Sequence, residues 1–203
     1  MINRKRIIRL IRYKNVLKRI LNSGEERVFS NILAELTGEK STQVRKDFSL
    51  LKITGNKKSG YDINELIDRI NEILIKKDKN SAIIVGCGKI AKALMDYQNF
   101  KEENIEICAG FDSNPKKISL SRPVPILPLE DMKKYINDNE VKVAILTMPA
   151  RFAQEVFDQL KESGILAVMN FAPVTLKDTG DVIIKYINLD VELESLFYFV
   201  NAR

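Results

Sequence analysis

Residues 81–93 read SAIIVGCGKIAKA, and this stretch decides the fold. Ala82 to Val85 is a short apolar run of the kind that forms a buried parallel strand, and the residues after the glycines have helical character. Between them stands Gly86-Cys87-Gly88-Lys89-Ile90-Ala91, the G-x-G-x-x-G/A order of a dinucleotide-binding turn. The first glycine permits a sharp turn, the second lets a diphosphate approach the main chain, and Ala91 is still small enough for helix and strand to pack closely. Amides at the start of the new helix would face the phosphates. The other reading of these residues is a structural strand-turn-helix with no ligand.

Working outward, Ile105 to Phe111 (IEICAGF) reads as a second strand, and Asp112 follows it, 26 residues beyond Gly86. An acid about 20 residues past the turn is where the adenosine ribose hydroxyls are held. Further strands are expected at Val124 to Leu127, Val141 to Leu146, Ile165 to Met169 and Val182 to Ile187. Helices are expected over Ala91 to Tyr97, Leu129 to Ile136 and from Ala150 to about Lys161, with Gly164 as the stop. The alternation predicts an α/β fold, a Rossmann-like doubly wound parallel sheet. Ligands of such sheets lie outside the carboxyl ends of the strands. The turns Asp112-Ser113-Asn114-Pro115, Thr147-Met148-Pro149-Ala150 and Asn170-Phe171-Ala172-Pro173 therefore share one edge with GCGKIA. Gly86, Cys87, Gly88, Lys89 and Ile90, with Asp112, Ser113, Thr147, Met148, Pro149, Asn170, Phe171 and Pro173, are the candidate cofactor residues. Asp112 favours NAD over NADP because it would repel a 2′-phosphate, and Lys116 and Lys117 weigh the other way.

Upstream, residues 4–22 carry Ile7, Ile8, Ile11, Val16, Ile20 and Leu21 near helical spacing. Eight basic residues occur before the first acid, Glu25. A membrane-surface helix has this pattern too. The residues after Glu25 favour another use. Ser30 is placed to cap a short helix ending at Gly38, and Ser41 to cap a second, STQVRKDFSLL. Val44, Phe48 and Leu51 face a core, which leaves Thr42, Gln43, Arg45, Lys46 and Ser49 largely outside. That is a helix-turn-helix, or else a plain three-helix bundle with a wet face. Arg45 and Gln43 suit base edges, and Lys46 suits phosphate. Thr54 to Tyr61 (TGNKKSGY) puts Lys57 and Lys58 at a hairpin tip, a wing reaching a phosphate backbone. Asp62 caps a further helix with an apolar stripe, and KKDKN (Lys76 to Asn80) is a polar linker. Ser41, Thr42, Gln43, Arg45, Lys46, Lys57, Lys58 and Tyr61 are the candidate DNA contacts. The segments are 1–79 for the winged helix, 80–187 for the Rossmann domain and 188–203 for a terminal helix.

Composition agrees with two parts of different chemistry. The chain has 203 residues, 45% hydrophobic and 30% charged, with formal net charge +6. Residues 1–80 carry net +9 and residues 81–203 net −3, so the front suits a polyanion such as DNA. Two cysteines make no disulfide framework, and with no signal peptide or apolar span the expected compartment is the cytoplasm. The chain contains no histidine, the commonest general base, which argues against a dehydrogenase on the same fold. No catalytic or metal-binding residues are assigned. Cys87 reads as a thiol sensor at a helix N-terminus, or as a small residue tolerated in the turn. Residues 189–203 expose apolar side chains on more than one face and need a partner surface, such as another subunit.

Taken together, the chain resembles the Rex family, the NADH/NAD-responsive bacterial transcriptional repressors. The resemblance rests on QVRKD (Gln43 to Asp47), Gly60-Tyr61, GCGKIAKAL, Phe111-Asp112, Pro149-Ala150, AQEV (Ala153 to Val156), NFAP and the aromatic tail Val191 to Phe199. It implies a homodimer with an exchanged C-terminal helix that binds a palindromic operator when NADH is scarce and releases it when NADH binds. It also implies that Gly86, Gly88 and Asp112 hold the dinucleotide and that Pro149, Asn170 and Pro173 lie near the nicotinamide. Lys89-Ile90-Ala91 stands where the family usually has Asn-Leu-Gly. Asn188 stands where it has an aspartate that pairs with the first helix's arginine, here Arg9. The alternative is therefore a divergent Rex-like DNA-binding protein whose Rossmann domain dimerises without responding to NAD(H).

Overall fold

The computed structural model describes residues 3–56, 58–74 and 80–202. Lys57 and residues 76–79 of the expected linker lie outside the described residues. The chain divides into two compact units, Met1–Asp78 and Lys79–Arg203.

The first unit is built from four helices and a two-stranded ribbon. Helix α1 (Arg4–Asn22) opens with the Asn3 side chain accepting from the Lys5 amide. Strand β1 (Arg27–Val28) precedes α2 (Ser30–Thr37) and α3 (Ser41–Leu50), and β2 (Tyr61–Asp62) pairs antiparallel with β1 before α4 (Ile63–Leu74). Leu10, Tyr13 and Leu17 of α1, Leu33 of α2, Val44 and Phe48 of α3, and Ile63, Leu66 and Ile70 of α4 form one buried core. Its apolar residues recur every three or four positions, which is why α1 packs its stripe inward although most of its surface is charged.

Two expected caps fall elsewhere. Ser30 and Ser41 are the first helical residues, and the cap positions belong to Phe29 and Lys40, neither with a side-chain cap bond. Both serines lie one residue late because Phe29 and Lys40 already adopt the extended conformation from which the helix starts. Asp62 does cap α4, accepting from the Glu65 amide at 3.0 Å. The wing closes at an Asn56–Gly60 bridge, where Asn56 Oδ1 accepts from the Lys58 and Ser59 amides.

In the second unit six parallel strands run β3 (Asn80–Val85), β4 (Ile105–Asp112), β5 (Ile126–Pro128), β6 (Val143–Leu146), β7 (Ala167–Asn170) and β8 (Ile183–Tyr186). Their spatial order is β5-β4-β3-β6-β7-β8, so the direction of winding reverses between β3 and β6. Helices α5 (Lys89–Met95) and α6 (Asn99–Glu102), the latter not foreseen, cover Ile84 and Ile107 on one face. Helices α7 (Met132–Asp138) and α8 (Ala150–Glu162) cover Ile83, Phe111, Ala144 and Val168 on the other. The expected helix at Leu129 begins with one tight turn, Leu129–Asp131, because Pro128 ends the strand immediately before it. Helix α9 (Leu189–Asn201) closes the chain with Leu193, Leu196, Phe197, Phe199 and Val200 all exposed. Among the described residues no helix is long and apolar enough to cross a membrane.

Candidate functional site

The reversal point between β3 and β6 assembles the expected edge. Gly86 has φ +91°, and a Cβ there would fall 2.9 Å from Met148 Cβ, so the first glycine is required by conformation and by space. Thr147 fastens the neighbouring turn to it: Oγ1 donates to the Gly86 carbonyl at 2.7 Å, and the Thr147 amide donates to Val85 O. Gly88 differs in kind, since a Cβ there would meet nothing within 4 Å. It opens α5, whose first turn contains no acid and presents Lys89 and Ile90 to solvent.

Asp112 holds this turn from the side. It is buried, and its Oδ2 accepts from the Cys87 amide at 2.7 Å and from Lys117 Nζ at 2.8 Å. Its Oδ1 accepts from the Asn114 amide at 2.8 Å. Burial alone would raise this carboxyl, but the bonds from Lys117, Asn114 and Cys87 outweigh it and hold the group below the usual carboxylate range. The acid at the end of the second strand thus braces the main chain of the glycine turn. Oδ1 keeps accepting capacity beyond the Asn114 bond, and the next residue, Ser113, is exposed.

Cys87 is a turn residue. Burial first, and then the nearby Asp112 charge, push its thiol up to about 11. Its Sγ lies 3.5 Å from Phe111 O. The lowered pKa that a sensing thiol needs is absent, because the side chain points into the sheet and not toward the helix amides.

The remaining edge residues divide into openers and builders. Met148 is half-buried, while Pro149, the cap residue of α8, and Pro173 are exposed. Asn170 is fully buried, donating to Val174 O and accepting from the Ala172 amide, so its amide shapes the NFAP loop. Phe171 packs partly against the α5 face of the sheet. Beyond Asp112, an open cleft of about 680 Å³ is lined by Ser113, Pro115, Ile118, Pro128 and Leu129, with the polar Glu130 and Gln159. That size suits a small organic ligand. Ile118, Pro128 and Leu129 were not among the expected edge residues, and the pairing of β4 with β5 sets Pro128 opposite Asp112.

In the first unit the exposed side of α3 carries Thr42, Arg45 and Lys46, with Ser41 half-buried at its start. Arg45 Nη1 donates to Ser30 Oγ at 3.3 Å. Gln43 is drawn off the reading face, its Nε2 donating to Asp47 Oδ1 at 3.1 Å. Buried Asp47 is also bound by Arg9 through Nε at 2.7 Å and Nη2 at 2.9 Å, and by the Tyr13 hydroxyl at 3.2 Å. Burial would raise the Asp47 carboxyl, but Arg9, Tyr13 and Gln43 together hold it low. The same contact raises Arg9. Tyr61 stacks edge-on to Phe48 at 4.9 Å, and a Cβ on Gly55 would fall 2.5 Å from its ring, so it anchors the base of the wing. Lys58 is exposed at the tip, and Lys57 lies outside the described residues.

Both units of the chain match known families. Residues 77–174 match the family described as the CoA binding domain, and residues 2–49 match one described as a putative DNA-binding protein N-terminus. A redox-sensing transcriptional repressor Rex of Limosilactobacillus fermentum is 37% identical over 202 residues, 98% of this chain and 91% of that protein. The Rex of Listeria monocytogenes is 35% identical over 193 residues, 95% and 90% of the two chains. Among solved structures, the Rex-family repressor RSP in complex with β-NAD+ and operator DNA superposes with TM-score 0.88 at 30% identity, covering 100% of this chain and 94% of that one. RSP in complex with β-NADH gives 0.85 at 30% identity, covering 100% and 95%. The chain belongs to the Rex family of redox-sensing transcriptional repressors.

Proposed function

We propose that this protein is a dimeric repressor that binds a palindromic operator and releases it when NADH occupies the carboxyl edge of the parallel sheet. The observation that carries the reading is the open GCGK turn: free space at Gly88, a first helical turn without an acid, and a buried Asp112 holding the turn in shape. The residues fit an adenine dinucleotide. The turn and the start of α5 suit its diphosphate, with Lys89 beside them. Asp112 Oδ1 and Ser113 suit the adenosine ribose, and the Ile118-Pro128-Leu129 wall suits adenine. Met148, Pro149, Phe171 and Pro173 suit the nicotinamide end, with Asn170 shaping their loop.

Thr42, Arg45, Lys46 and Lys58 are the groups that meet DNA, with Ser41 at the start of their helix. Two copies related by a two-fold axis place two α3 helices on half-sites spaced by helical turns. The exposed apolar α9 is the element that a second copy covers. The protein is a regulator and not an enzyme: the chain has no histidine, and the TMPA and NFAP turns offer no acid-base pair. Its compartment is the cytoplasm, where its DNA is.

NADH and NAD+ differ only at the nicotinamide ring, so any response arises from differential affinity for the DNA-competent and DNA-incompetent dimers. A tenfold change in operator affinity needs about 1.4 kcal/mol of such coupling. Anisotropy titration of operator DNA with each nucleotide measures it. Weaker binding with NADH than with NAD+ is expected, and no change at saturating NADH removes the redox gate.

One observation favours the second reading, a DNA-binding dimer without redox response. Arg9, the arginine that in the family pairs with the aspartate replaced here by Asn188, is already bound bidentately to Asp47. Calorimetry with NADH and NAD+ separates the two readings, because a pure scaffold gives no heat with either.

A further inference from the structure

We propose that one side of α1 is a second phosphate-binding surface for double-stranded DNA, formed by Lys5 and Arg12 and locked beside the recognition helix α3 by the Arg9–Asp47 pair. The inference rests on the DNA-binding reading above and extends the footprint beyond α3 and the wing.

The buried Asp47 carboxylate takes Arg9 bidentately and also lies 3.5 Å from Arg6 Nε. One negative charge therefore gathers two guanidinium groups and leaves the cluster net positive. Arg6 Nε is buried there without a hydrogen bond, yet the side chain as a whole is 35% exposed, so its exposure comes from the rest of the chain. Lys5 and Arg12 stand at i−4 and i+3 from Arg9, the spacings that share one helix side, and both are exposed. The first turn of α1 holds no acid, and no acid precedes Glu25 in the sequence.

The location follows from the turn angle of α3. At 3.6 residues per turn, the positions next to Asp47 going round the helix toward solvent are Gln43, then exposed Leu50, then Lys46. Arg45 lies on the far side, where it reaches Ser30 at the start of α2. A helix about 10–12 Å across fills a major groove about 12 Å wide, so what flanks it on each side meets one of the two phosphate ridges. On the Arg45 side that flank is the N-terminus of α2. On the Lys46 side it is the cationic edge of α1. Membrane insertion of the same helix is disfavoured, because Leu10, Tyr13, Val16 and Leu17 are already buried in the domain core.

The test is fluorescence anisotropy of the full-length protein on a labelled duplex recovered by in vitro selection and on a scrambled duplex, over a series of salt concentrations. The double variant K5Q/R12Q changes only exposed side chains. It is expected to weaken both duplexes by the same factor, and to reduce the slope of log affinity against log salt by about 2, since each phosphate contact contributes roughly 0.9. Thr42→Ala, on the reading face, is expected to weaken the selected duplex alone. An unchanged salt slope in K5Q/R12Q with intact DNA binding overturns the clamp and leaves the DNA reading standing. No duplex binding by the unsubstituted protein removes the DNA reading and the clamp together. Binding to phosphatidylserine vesicles that K5Q/R12Q abolishes, with DNA binding unaffected, overturns the proposal in favour of a lipid surface.

Discussion

Asp47 in the first unit and Asp112 in the second are each buried against a cation, and the two do different work. Asp47 is bound by side chains alone: Arg9, Tyr13 and Gln43 converge on it from α1 and α3. Asp112 is bound by two main-chain amides, those of Cys87 and Asn114, and by one lysine. The first joins α1 to α3. The second welds a turn, in which Cys87 donates its amide to the carboxylate while Gly86 and Gly88 donate theirs to Phe111 O and Gly86 O. Side-chain welding depends on several residues being kept together. Main-chain welding survives any change that keeps the backbone.

The comparison predicts a ranking. Asp47→Ala strands a guanidinium that is 18% exposed, and breaking a buried pair of this kind costs about 3–5 kcal/mol. Urea denaturation should show that loss in the first unit. Asp112→Ala instead releases two neutral amides and a lysine that is 37% exposed, for about 1–3 kcal/mol. Equal losses in the two variants would break the distinction.

The two glycines of the turn sharpen it further. Gly86→Ala is expected to destabilise by more than about 1 kcal/mol, because φ +91° and the contact with Met148 both oppose a side chain. Gly88→Ala is expected to change stability by no more than about 0.5 kcal/mol but to weaken NADH binding at least tenfold by calorimetry, since its methyl fills open space.

Acid should affect both aspartates in the same sense. Their folded values lie below the ordinary 3.8, so their contribution is present above that pH and is lost as pH falls through the folded values. Thermal melts should stay level near neutrality and drop below about pH 4. The smallest effect is expected at Cys87. With its thiol near 11, it should resist iodoacetamide at neutral pH in the native protein, as intact mass will show, and Cys87→Ser should leave DNA binding under peroxide unchanged.

Much of this was legible in the residues. The order of apolar runs and glycines placed the six strands of the described sheet, and GCGKIA marked the edge at which the winding reverses. The helix-turn-helix followed from the spacing of Val44, Phe48 and Leu51. Other features were not legible. Gln43 and Tyr61 carry side chains that suit DNA, and nothing in their neighbours in sequence reveals that one turns to Asp47 and the other anchors the wing. The Ile118-Pro128-Leu129 wall was equally hidden.

Local rules account for the division. Strand, turn and helix follow from periodicity and from the few residues that tolerate a given backbone, and those are properties of neighbouring residues along the chain. Asp112 could be located that way because the end of a parallel strand is a fixed place in such a sheet. Which polar side chain faces solvent and which is claimed by a buried charge depends on residues 34 to 38 positions away, as Arg9 and Tyr13 are from Asp47. Burial makes an unpaired charge costly, so the folded chain, and not its local pattern, assigns the partners.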